Sequence, residues 1–159
     1  MEDLSNYQKL KSDALDCYNA IGTVFSPAFK VNISFQANGF HHLIFKNSHH
    51  IREESSQVLR FKLLTLAVKL IGLSTTYQEF EESYKEFLIK SYKKKSKKFQ
   101  IVKYWGIIAI IDNRKIKVVL RKIGDNGNIH FWSIVPAWVT NKHRDIKLFT
   151  TMKGNPEED

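Results

Sequence analysis

The chain contains a single cysteine, Cys17, and this scarcity excludes several kinds of protein. One thiol cannot close an internal disulfide, so a disulfide-stapled secreted domain is excluded and a reducing, cytoplasmic location is expected. No cysteine pair exists to build a structural zinc site. Cys17 lies in a segment with helical spacing, which favours a small buried apolar residue over a nucleophile.

Long apolar runs and familiar catalytic loops are also missing. The longest apolar run, residues 105–111, is far shorter than the roughly 20 residues that span a bilayer. The acidic start, Met1-Glu2-Asp3, is not followed by the apolar stretch of a signal peptide. There is no Walker-type phosphate loop, GxGxxG, GxSxG or HExxH. We therefore expect a soluble protein without a membrane partner.

Positive charge is in clear excess. The 159 residues include 25 Lys and Arg against 16 Asp and Glu, which gives a formal net charge of +9. Such an excess favours an anionic partner, most commonly nucleic acid, with an acidic membrane or protein as the other candidates. With 43% hydrophobic residues, the chain has enough apolar side chains for a packed core, and its length suits a single domain, residues 1–159.

The first half of the chain reads mainly as helix. Helical spacing predicts a helix over residues 3–20, strict alternation predicts a strand over 29–35, and Asn38-Gly39 indicates a turn. A broad apolar stripe predicts a long helix over 51–71. A capping pattern then predicts a second helix from residue 75, in which Tyr77, Phe80, Tyr84 and Phe87 share a face.

The second half reads as extended. A basic segment, 93–98, separates the helical part with its first strand, 1–92, from three predicted strands at 99–111, 116–123 and 129–135. Short turns between them predict an antiparallel meander ending at Pro136. Residues 137–159 form a tail whose acidic end is expected to fray. The expected fold class is α+β, with N-terminal helices packed on one face of an antiparallel sheet of about four strands.

The residue types present allow phosphodiester chemistry without a metal. RNA can be cut by its own 2′-hydroxyl, given a base, an acid and cations around the pentacoordinate phosphate. Histidine suits the proton transfers, lysine, arginine and serine suit the charge, and an aromatic ring can stack a base. Residues of these types lie in three segments: His41, His42 and Lys46; Lys117 and Arg121; and His130, Trp132 and Ser133.

Strand parity predicts which of these side chains share a face. On strand 116–123 the apolar set that includes Ile116, Val118 and Leu120 is the better core face, so Lys117 and Arg121 point together to the exposed face. On the last strand the two interpretations stay open. Either Ser133 faces the helices while His130 and Trp132 face the open side, or Ser133 shares the cleft with Phe131.

Other basic and histidine residues have weaker claims. Arg52 and Arg60, on or near the polar side of the long helix, can reach phosphate, although a solvated helix face is the simpler interpretation. Lys94 and Lys95 add salt-sensitive affinity for nucleic acid. The doublets His41-His42 and His49-His50 do not predict a metal site, because neighbouring residues on a strand point to opposite faces. No cofactor is expected.

Two segments resemble a known superfamily. Residues Val31–Leu43 look like the strand-plus-NFxHL element of phage-associated nucleases in the barnase–EndoU–colicin E5/D–RelE (BECR) superfamily. Residues Ile129–Pro136, after a two-strand hairpin, look like its final strand, which bears Ser and Trp. The resemblance implies a metal-independent ribonuclease with a helical N-terminal part and a four-stranded antiparallel sheet. Members often act as toxins on tRNA or mRNA and are held inactive by an acidic antitoxin or immunity protein.

The resemblance also implies roles for individual residues. His42, which directly precedes Leu43, matches the family histidine, and Ser133 matches the serine of the last strand. Lys46, Arg60 and Arg121 match by type and rough position, while the extra His41 departs from the pattern. The implied mechanism uses His42 or His41 for proton exchange, Arg121 and Lys46 to stabilise the phosphorane, Ser133 to bind a phosphoryl oxygen and Trp132 to hold a base.

Two other classes of function compete with the nuclease. A non-catalytic RNA- or DNA-binding module would use the same basic face, including Lys117 and His130, without a proton-transfer pair. A protein-interaction subunit of a phage or defence system would direct its positive charge at an acidic partner. Intact RNA bound in a salt-dependent way distinguishes the first, and a stable protein complex without RNA affinity distinguishes the second.

Overall fold

The computed structural model describes residues 6–91, 94–136, 150–151 and 156–159, with the backbone alone at 88–91, 94–95 and 150–151. Within these residues the helices are α1 (Tyr7–Ile21), α2 (Ala37–Ile44), α3 (Glu54–Lys62) and α4 (Leu64–Leu73). The strands are β1 (Thr23–Ser26), β2 (Val31–Ser34), β3 (Phe45–Asn47), β4 (His50–Ile51), β5 (Glu79–Ser91), β6 (Lys94–Ile111), β7 (Arg114–Ile123), β8 (His130–Pro136) and β9 (Thr150–Thr151). The expected α+β class is confirmed.

Seven of the described strands form one sheet, in the order β1-β2-β8-β7-β6-β5-β9. β6, β7 and β8 are antiparallel neighbours, which confirms the predicted meander, and Asp112 and Asn113 form its β6–β7 turn with positive φ. β5 extends the antiparallel pairing on the other side of β6. β2 joins β8 in parallel and brings in the predicted strand from the N-terminal half. The described sheet exceeds the expected four strands because β1 and β9 are too short to show alternation and β5 has a helix-like pattern.

The prediction of a second helix from residue 75 is wrong, because residues 79–91 form β5. The three- and four-residue spacing of Phe80, Tyr84 and Phe87 fits a helix locally. β5, however, pairs with β6 along all of its 13 residues, and this long ladder outweighs the local pattern. Tyr84 is 76% exposed and belongs to no buried stripe.

The predicted turn at Asn38-Gly39 is also wrong, since both residues lie in α2. Gly39 serves a close approach instead. A Cβ atom there would lie 2.5 Å from the Tyr18 hydroxyl and 2.7 Å from the Phe131 carbonyl oxygen. His41 and His42 therefore lie on a helix, where successive residues differ by about 100°, and His42 is buried while His41 is exposed.

Two smaller corrections concern the helices. The predicted helix over 51–71 is divided at Leu63, a buried residue that ends α3 and precedes α4, so both segments contribute to the core. Cys17 is exposed on α1 and is not the buried residue that was expected. None of the helices in the described part of the chain is long and apolar enough to cross a membrane.

The main core lies between the helices and one face of the sheet. Val58 of α3 and Leu64, Ala67 and Ile71 of α4 meet strand side chains there. The strand residues of this face are Ile107, Ile116, Val118, Leu120, Phe131 and Ile134. The predicted core face of β7 is therefore confirmed, and the alternate residues of the same strands must point to the other face.

Candidate functional site

The opposite face of β7 and β8 carries the polar residues. Lys117, Arg121, His130 and Ser133 are only 8%, 8%, 4% and 0% exposed. The prediction that Lys117 and Arg121 point to an exposed face is half right. They share the face away from the core, but Arg60, Trp132 and residues 156–159 lie against that face and remove it from solvent. Burying this many polar groups is costly unless each one is paired with a hydrogen-bonding or charged partner.

A β-bulge resolves the ambiguity of the last strand. Val119 pairs with Ser133 and Leu120 with Phe131, which leaves Trp132 as an extra residue without a partner. Strict alternation therefore breaks at this point. Phe131 enters the main core, while His130, Trp132 and Ser133 all lie on the polar side. Neither of the two parity interpretations is right, because both assume an unbroken strand.

Trp132 is enclosed between two cationic or titratable groups. The His42 ring stacks on it with centroids 4.1 Å apart, and the Arg121 guanidinium carbon lies 3.6 Å from its ring centroid. Two planar groups this close to one centroid must occupy opposite faces of the ring. The predicted use of Trp132 as a platform for an RNA base is therefore wrong in this arrangement, and its indole positions His42 and Arg121.

His42 lies on α2, is 4% exposed and is held against the final strand by Trp132. Its carbonyl oxygen accepts from Arg52 Nε at 3.1 Å, and its Nε2 lies 3.3 Å from Arg52 Nη2. Burial, followed by the positive charges of Arg52, Arg60 and Arg121, lowers the pKa of His42 to about 3. The imidazole is therefore neutral at pH 7, and the Arg52 guanidinium, which can only donate, faces its Nε2 atom.

His130 has a different environment from the one expected for an RNA-facing residue. Its Nε2 accepts from Arg121 Nε at 2.9 Å, and its Nδ1 lies 3.1 Å from the Asn128 carbonyl oxygen, to which it donates. Burial and the charge of Arg121 lower the pKa of His130 to about 4. Both ring nitrogens are used within the protein, so His130 orients Arg121.

Two guanidinium groups and a hydroxyl converge on one oxygen atom. The main-chain oxygen of Asp159 accepts from Arg52 Nη2 at 2.9 Å, Arg60 Nη1 at 3.2 Å and Ser133 Oγ at 2.7 Å. Arg60 also donates to Ser133 Oγ and to the Ile134 carbonyl oxygen, and its Nε is buried without a partner among the described residues. This arrangement can bind one oxygen of a carboxylate or phosphate.

Arg60 does not lie on a solvated helix face, as was predicted. Arg60 is buried at 5% exposure, because α3 packs against β8. Burial and the neighbouring charge of Arg52 lower its pKa to about 9, while Asp159 raises it. A guanidinium is not deprotonated at pH 7, so Arg60 contributes a full buried positive charge.

Lys117 forms the ion pair nearest to this cluster. Its Nζ lies 3.3 Å from Glu79 Oε2 and 3.6 Å from the Asp159 carboxylate, and Glu79 is itself buried. Glu79 stands across from Gly106 on the neighbouring strand, where a side chain would collide with the carboxylate at 3.1 Å. The pair holds a protonated amine at the edge of the anion-binding atoms.

The acidic end of the chain does not fray, contrary to the prediction. Glu157 Oε1 lies 2.5 Å from Lys85 Nζ, Glu158 Oε2 lies 3.5 Å from Lys46 Nζ, and Trp132 Nε1 donates to the Pro156 carbonyl oxygen at 2.9 Å. Together with the Asp159 contacts, these bonds lay residues 156–159 over the polar face. The opposite charges of the segment and the site explain the location.

The remaining predicted residues lie outside the cluster. His41 is exposed and stacks on Phe45 at 4.4 Å. Lys46 lies on β3, and its side chain is 52% exposed and pairs only with Glu158 of the acidic segment. The backbone of Lys94 and Lys95 lies in β6, but their side chains fall outside the described part of the structure.

Sequence reasoning missed several members of the cluster. Glu79 and Lys85 lie on β5, and reading that segment as a helix hid the alternation that puts them on one face. Tyr104 pairs with Arg121 across the strands and accepts from Lys85 at 3.0 Å. Arg52, which precedes α3, was expected like Arg60 on a solvated helix face and was not among the predicted site residues. Period-two alternation in residues 79–85 is the signal that could have found the first two.

Neither a metal-ligand cluster nor a known relative identifies the function. Among the residues that the structure describes, no group of three or more His, Cys, Asp or Glu side chains is placed to hold a metal ion. Comparison with protein-family models, with curated proteins and with solved structures finds no significant match. The function must therefore be inferred from the chemistry of the site itself.

Proposed function

We propose that the protein is a metal-independent endoribonuclease of the bacterial or phage-derived toxin kind, cleaving tRNA or mRNA in the cytoplasm. The observation that carries the proposal is the oxygen position held by Arg52, Arg60 and Ser133 beside the neutral imidazole of His42. An oxyanion position next to a base is what transesterification of RNA requires.

A non-bridging phosphoryl oxygen takes the position of the Asp159 main-chain oxygen. Arg52 and Arg60 then supply two cationic donors and Ser133 a third, neutral one, at 2.7–3.2 Å from that position. As the 2′-oxygen adds, negative charge grows on the phosphorane oxygens, and donors fixed in a buried site stabilise that charge more strongly than water does. Arg52 replaces the exposed Lys46 in this role.

The proton transfers use His42 and Lys117. Arg52 turns from His42 Nε2 towards the phosphate, and the 2′-hydroxyl gives its proton to the freed Nε2 as the bond from the 2′-oxygen to phosphorus forms. The bond from phosphorus to the 5′-oxygen breaks, and the leaving oxygen takes a proton from the Lys117 ammonium, which already contacts the anionic Asp159 side chain at 3.6 Å. The products are a 2′,3′-cyclic phosphate and a free 5′-hydroxyl.

Arg121 and His130 are positioning residues in this scheme. Arg121 covers one face of Trp132 and so fixes the other face for His42, while His130 accepts from Arg121 Nε. Lysine at position 121 keeps the charge but loses the planar stacking and the fixed fork of donors. Arg121→Lys should therefore lower kcat while leaving RNA affinity nearly unchanged.

The superfamily resemblance supplies the biological part of the proposal. The helical N-terminal part and the antiparallel meander support the resemblance, whereas the described sheet has seven strands and the resemblance implies four. A toxin of this kind is partnered by an acidic antitoxin or immunity protein. The net charge of +9 suits both RNA and such a partner.

Cleavage of RNA by the purified protein tests the proposal. Total tRNA and an unstructured RNA are incubated with the protein in the presence and absence of EDTA, and product ends are identified. We expect 2′,3′-cyclic phosphate ends, no effect of EDTA and no cleavage of 2′-deoxy substrates. His42→Gln should lower kcat by about 100-fold or more, which is the usual contribution of a general base.

His41→Gln is the matched control, because His41 is the exposed neighbour of His42 on the same helix. Among the described residues its ring stacks on Phe45 and not on a residue of the cluster. It should retain wild-type activity. Cleavage that requires a divalent ion, or full activity in His42→Gln, would contradict the mechanism. Circular dichroism of both variants confirms that they fold.

A non-catalytic RNA-binding module is the second candidate, and one observation favours it. The Nε2 atoms of His42 and His130 both face an arginine donor, at 3.3 and 2.9 Å. If neither ring is released from its arginine when RNA binds, the site has cations but no base. Salt-dependent binding with RNA left intact, unchanged in His42→Gln, is the result that would favour this function.

A further inference from the structure

Residues 156–159 place a negative or partly negative group at several separate positions of the polar face. The carboxylates of Glu157, Glu158 and Asp159 meet Lys85, Lys46 and Lys117 respectively. The main-chain oxygen of Asp159 occupies a fourth position, between Arg52, Arg60 and Ser133. The cleft therefore presents a series of cationic positions rather than one.

These positions are too far apart for one small anion. Lys85 stands across from Gln100 of β6 and Lys117 across from Ile108 of the same strand, so their backbones are offset by eight positions, or roughly 26 Å, along β6 as well as lying on opposite sides of it. Four extended residues span at most about 14 Å, so the segment reaches Lys85 through the Glu157 side chain and the central oxygen position through its own backbone. A free phosphate would satisfy only one position.

The position of the donors restricts the shape of the occupant. With the segment in place, Arg60 of α3 and Ser133 of β8 are 5% and 0% exposed, and one main-chain oxygen of the segment reaches both. A single extended chain reaches these two side chains, as residues 156–159 do, where α3 packs against β8. Trp132 contributes one neutral donor beside the path, through Nε1 to the Pro156 carbonyl oxygen.

We propose that the cleft binds an extended, single-stranded polyanion carrying several phosphates, and that residues 156–159 occupy it in cis as a competitor. The identification of this polyanion with RNA rests on the function proposed above. RNA binding must displace the ion pairs and hydrogen bonds of the segment, so the segment weakens RNA binding and slows any cleavage. Neutralising its acids should open the cleft.

The test uses oligonucleotides that cannot be cleaved, so that binding is measured apart from catalysis. Fluorescence anisotropy compares labelled 2′-O-methyl oligonucleotides of two and eight nucleotides, with inorganic phosphate as a competitor. We expect the triple variant E157Q/E158Q/D159N to bind the octamer at least tenfold more tightly than wild type. The octamer should also bind at least tenfold more tightly than the dimer, and millimolar phosphate should compete poorly.

A matched variant removes three acids elsewhere. D13N/D16N/D112N makes the same change in net charge at exposed positions on α1 and the β6–β7 turn. It should bind within twofold of wild type. Equal gains in the two triple variants would reduce the effect to net charge and overturn the proposal, as would equal affinities for the dimer and the octamer.

A peptide provides a second readout that does not depend on the fold of a variant. A synthetic peptide with the sequence of residues 154–159 should compete with the octamer for the E157Q/E158Q/D159N variant, and a peptide with Gln and Asn in place of the acids should not. If RNA is never cut but these binding results hold, the nuclease proposal fails and this one stands. If wild type cuts RNA and the triple variant neither binds nor cuts it better, only the competitor proposal fails.

Discussion

The two faces of the central sheet, built from alternate residues of the same strands, differ in almost every physical property. One face packs Val118, Leu120 and Phe131 against the helices in the main hydrophobic core. The other buries Lys117, Arg121 and Ser133 in a network of hydrogen bonds and ion pairs. On the first face the burial of apolar side chains stabilises the fold. On the second face the hydrogen bonds and ion pairs mainly offset the cost of removing charged groups from water. Stability should therefore reside on the first face and chemistry on the second.

Removal of an aromatic side chain from the helix-covered face should have the largest effect on stability. Phe131 is fully buried and stacks on Phe35 with centroids 4.8 Å apart. Phe131→Ala should lower the free energy of unfolding by about 3–5 kcal/mol, from lost burial and the cavity left behind. Urea denaturation measures this. A loss of under 1 kcal/mol would mean that the helix-covered face is not the source of stability.

The pH dependence of stability tests the other face. The pKa of His42 is about 3 in the folded protein and near 6.5 when unfolded. Between these values the unfolded chain binds more protons, so the free energy of unfolding falls as the pH falls from 6.5 towards 3, by up to about 1.4 kcal/mol per pH unit from this group. Above pH 6.5 the group has no effect.

His42→Gln should flatten that acid-side slope, and His49→Gln, at an exposed position, should leave it unchanged. Stability is measured by urea denaturation at pH 7, 6, 5 and 4. Wild type and His42→Gln with parallel profiles would show that the imidazole is not buried among cations as the structure has it.

Gly39 lies where α2 packs closely against β8, so substitution there tests how tightly the helix and the strand must approach. A Cβ atom there would meet the Tyr18 hydroxyl at 2.5 Å and the Phe131 carbonyl oxygen at 2.7 Å, so Gly39→Ala forces the helix away from the strand. We expect a loss of about 1–3 kcal/mol. Gly72→Ala is the control, because its nearest contact is an ordinary 3.9 Å to Val24.

That control should instead stabilise the protein by about 0.5–1 kcal/mol, since Gly72 lies within α4. Thermal melts of the two alanine variants separate the effects by sign. Destabilisation of equal size at both glycines would remove the argument from close packing.

The smallest expected effect concerns the hydroxyl of Ser133. Ser133→Ala removes the 2.7 Å bond to the Asp159 main-chain oxygen and leaves a buried acceptor with two other donors. The loss of stability should be about 1 kcal/mol. In the RNA cleavage assay the same change should lower kcat by a larger factor than the roughly 1 kcal/mol lost in stability corresponds to. The reason is that the hydroxyl donates to an oxygen on which negative charge grows during the reaction. A fall in stability with unchanged kcat would make Ser133 a purely structural residue.

The comparison of the two faces also shows where sequence reasoning works. On β7 the parity rule separated Ile116, Val118 and Leu120 from Lys117 and Arg121 correctly, because the strand is unbroken. On β8 the same rule failed because the bulge adds one residue at Trp132. A bulge leaves no period in the sequence, and it depends on the register of the partner strand.

The candidate site shows the same limit. Residue types nominated His42, Arg121, Lys117 and Ser133, which the fold brings to one surface, but they also nominated His41 and Lys46, which lie outside it. The sequence put Arg60 on a helix, and only helix packing against β8 turned it inward. Glu79 and Lys85 required the pairing of β5 with β6, which is a contact between segments and not a local pattern.

The amino-acid sequence by itself determined the α+β class, the meander, the core face of β7 and the excess of positive charge, because each depends on composition or on short-range period. Only the tertiary structure decided that His42 stacks on Trp132, that Arg52 and Arg60 converge on one oxygen atom, and that the acidic residues 157–159 lie over the polar face. These features join residues up to about a hundred positions apart, and such contacts are fixed by packing and charge in three dimensions, which no local pattern encodes.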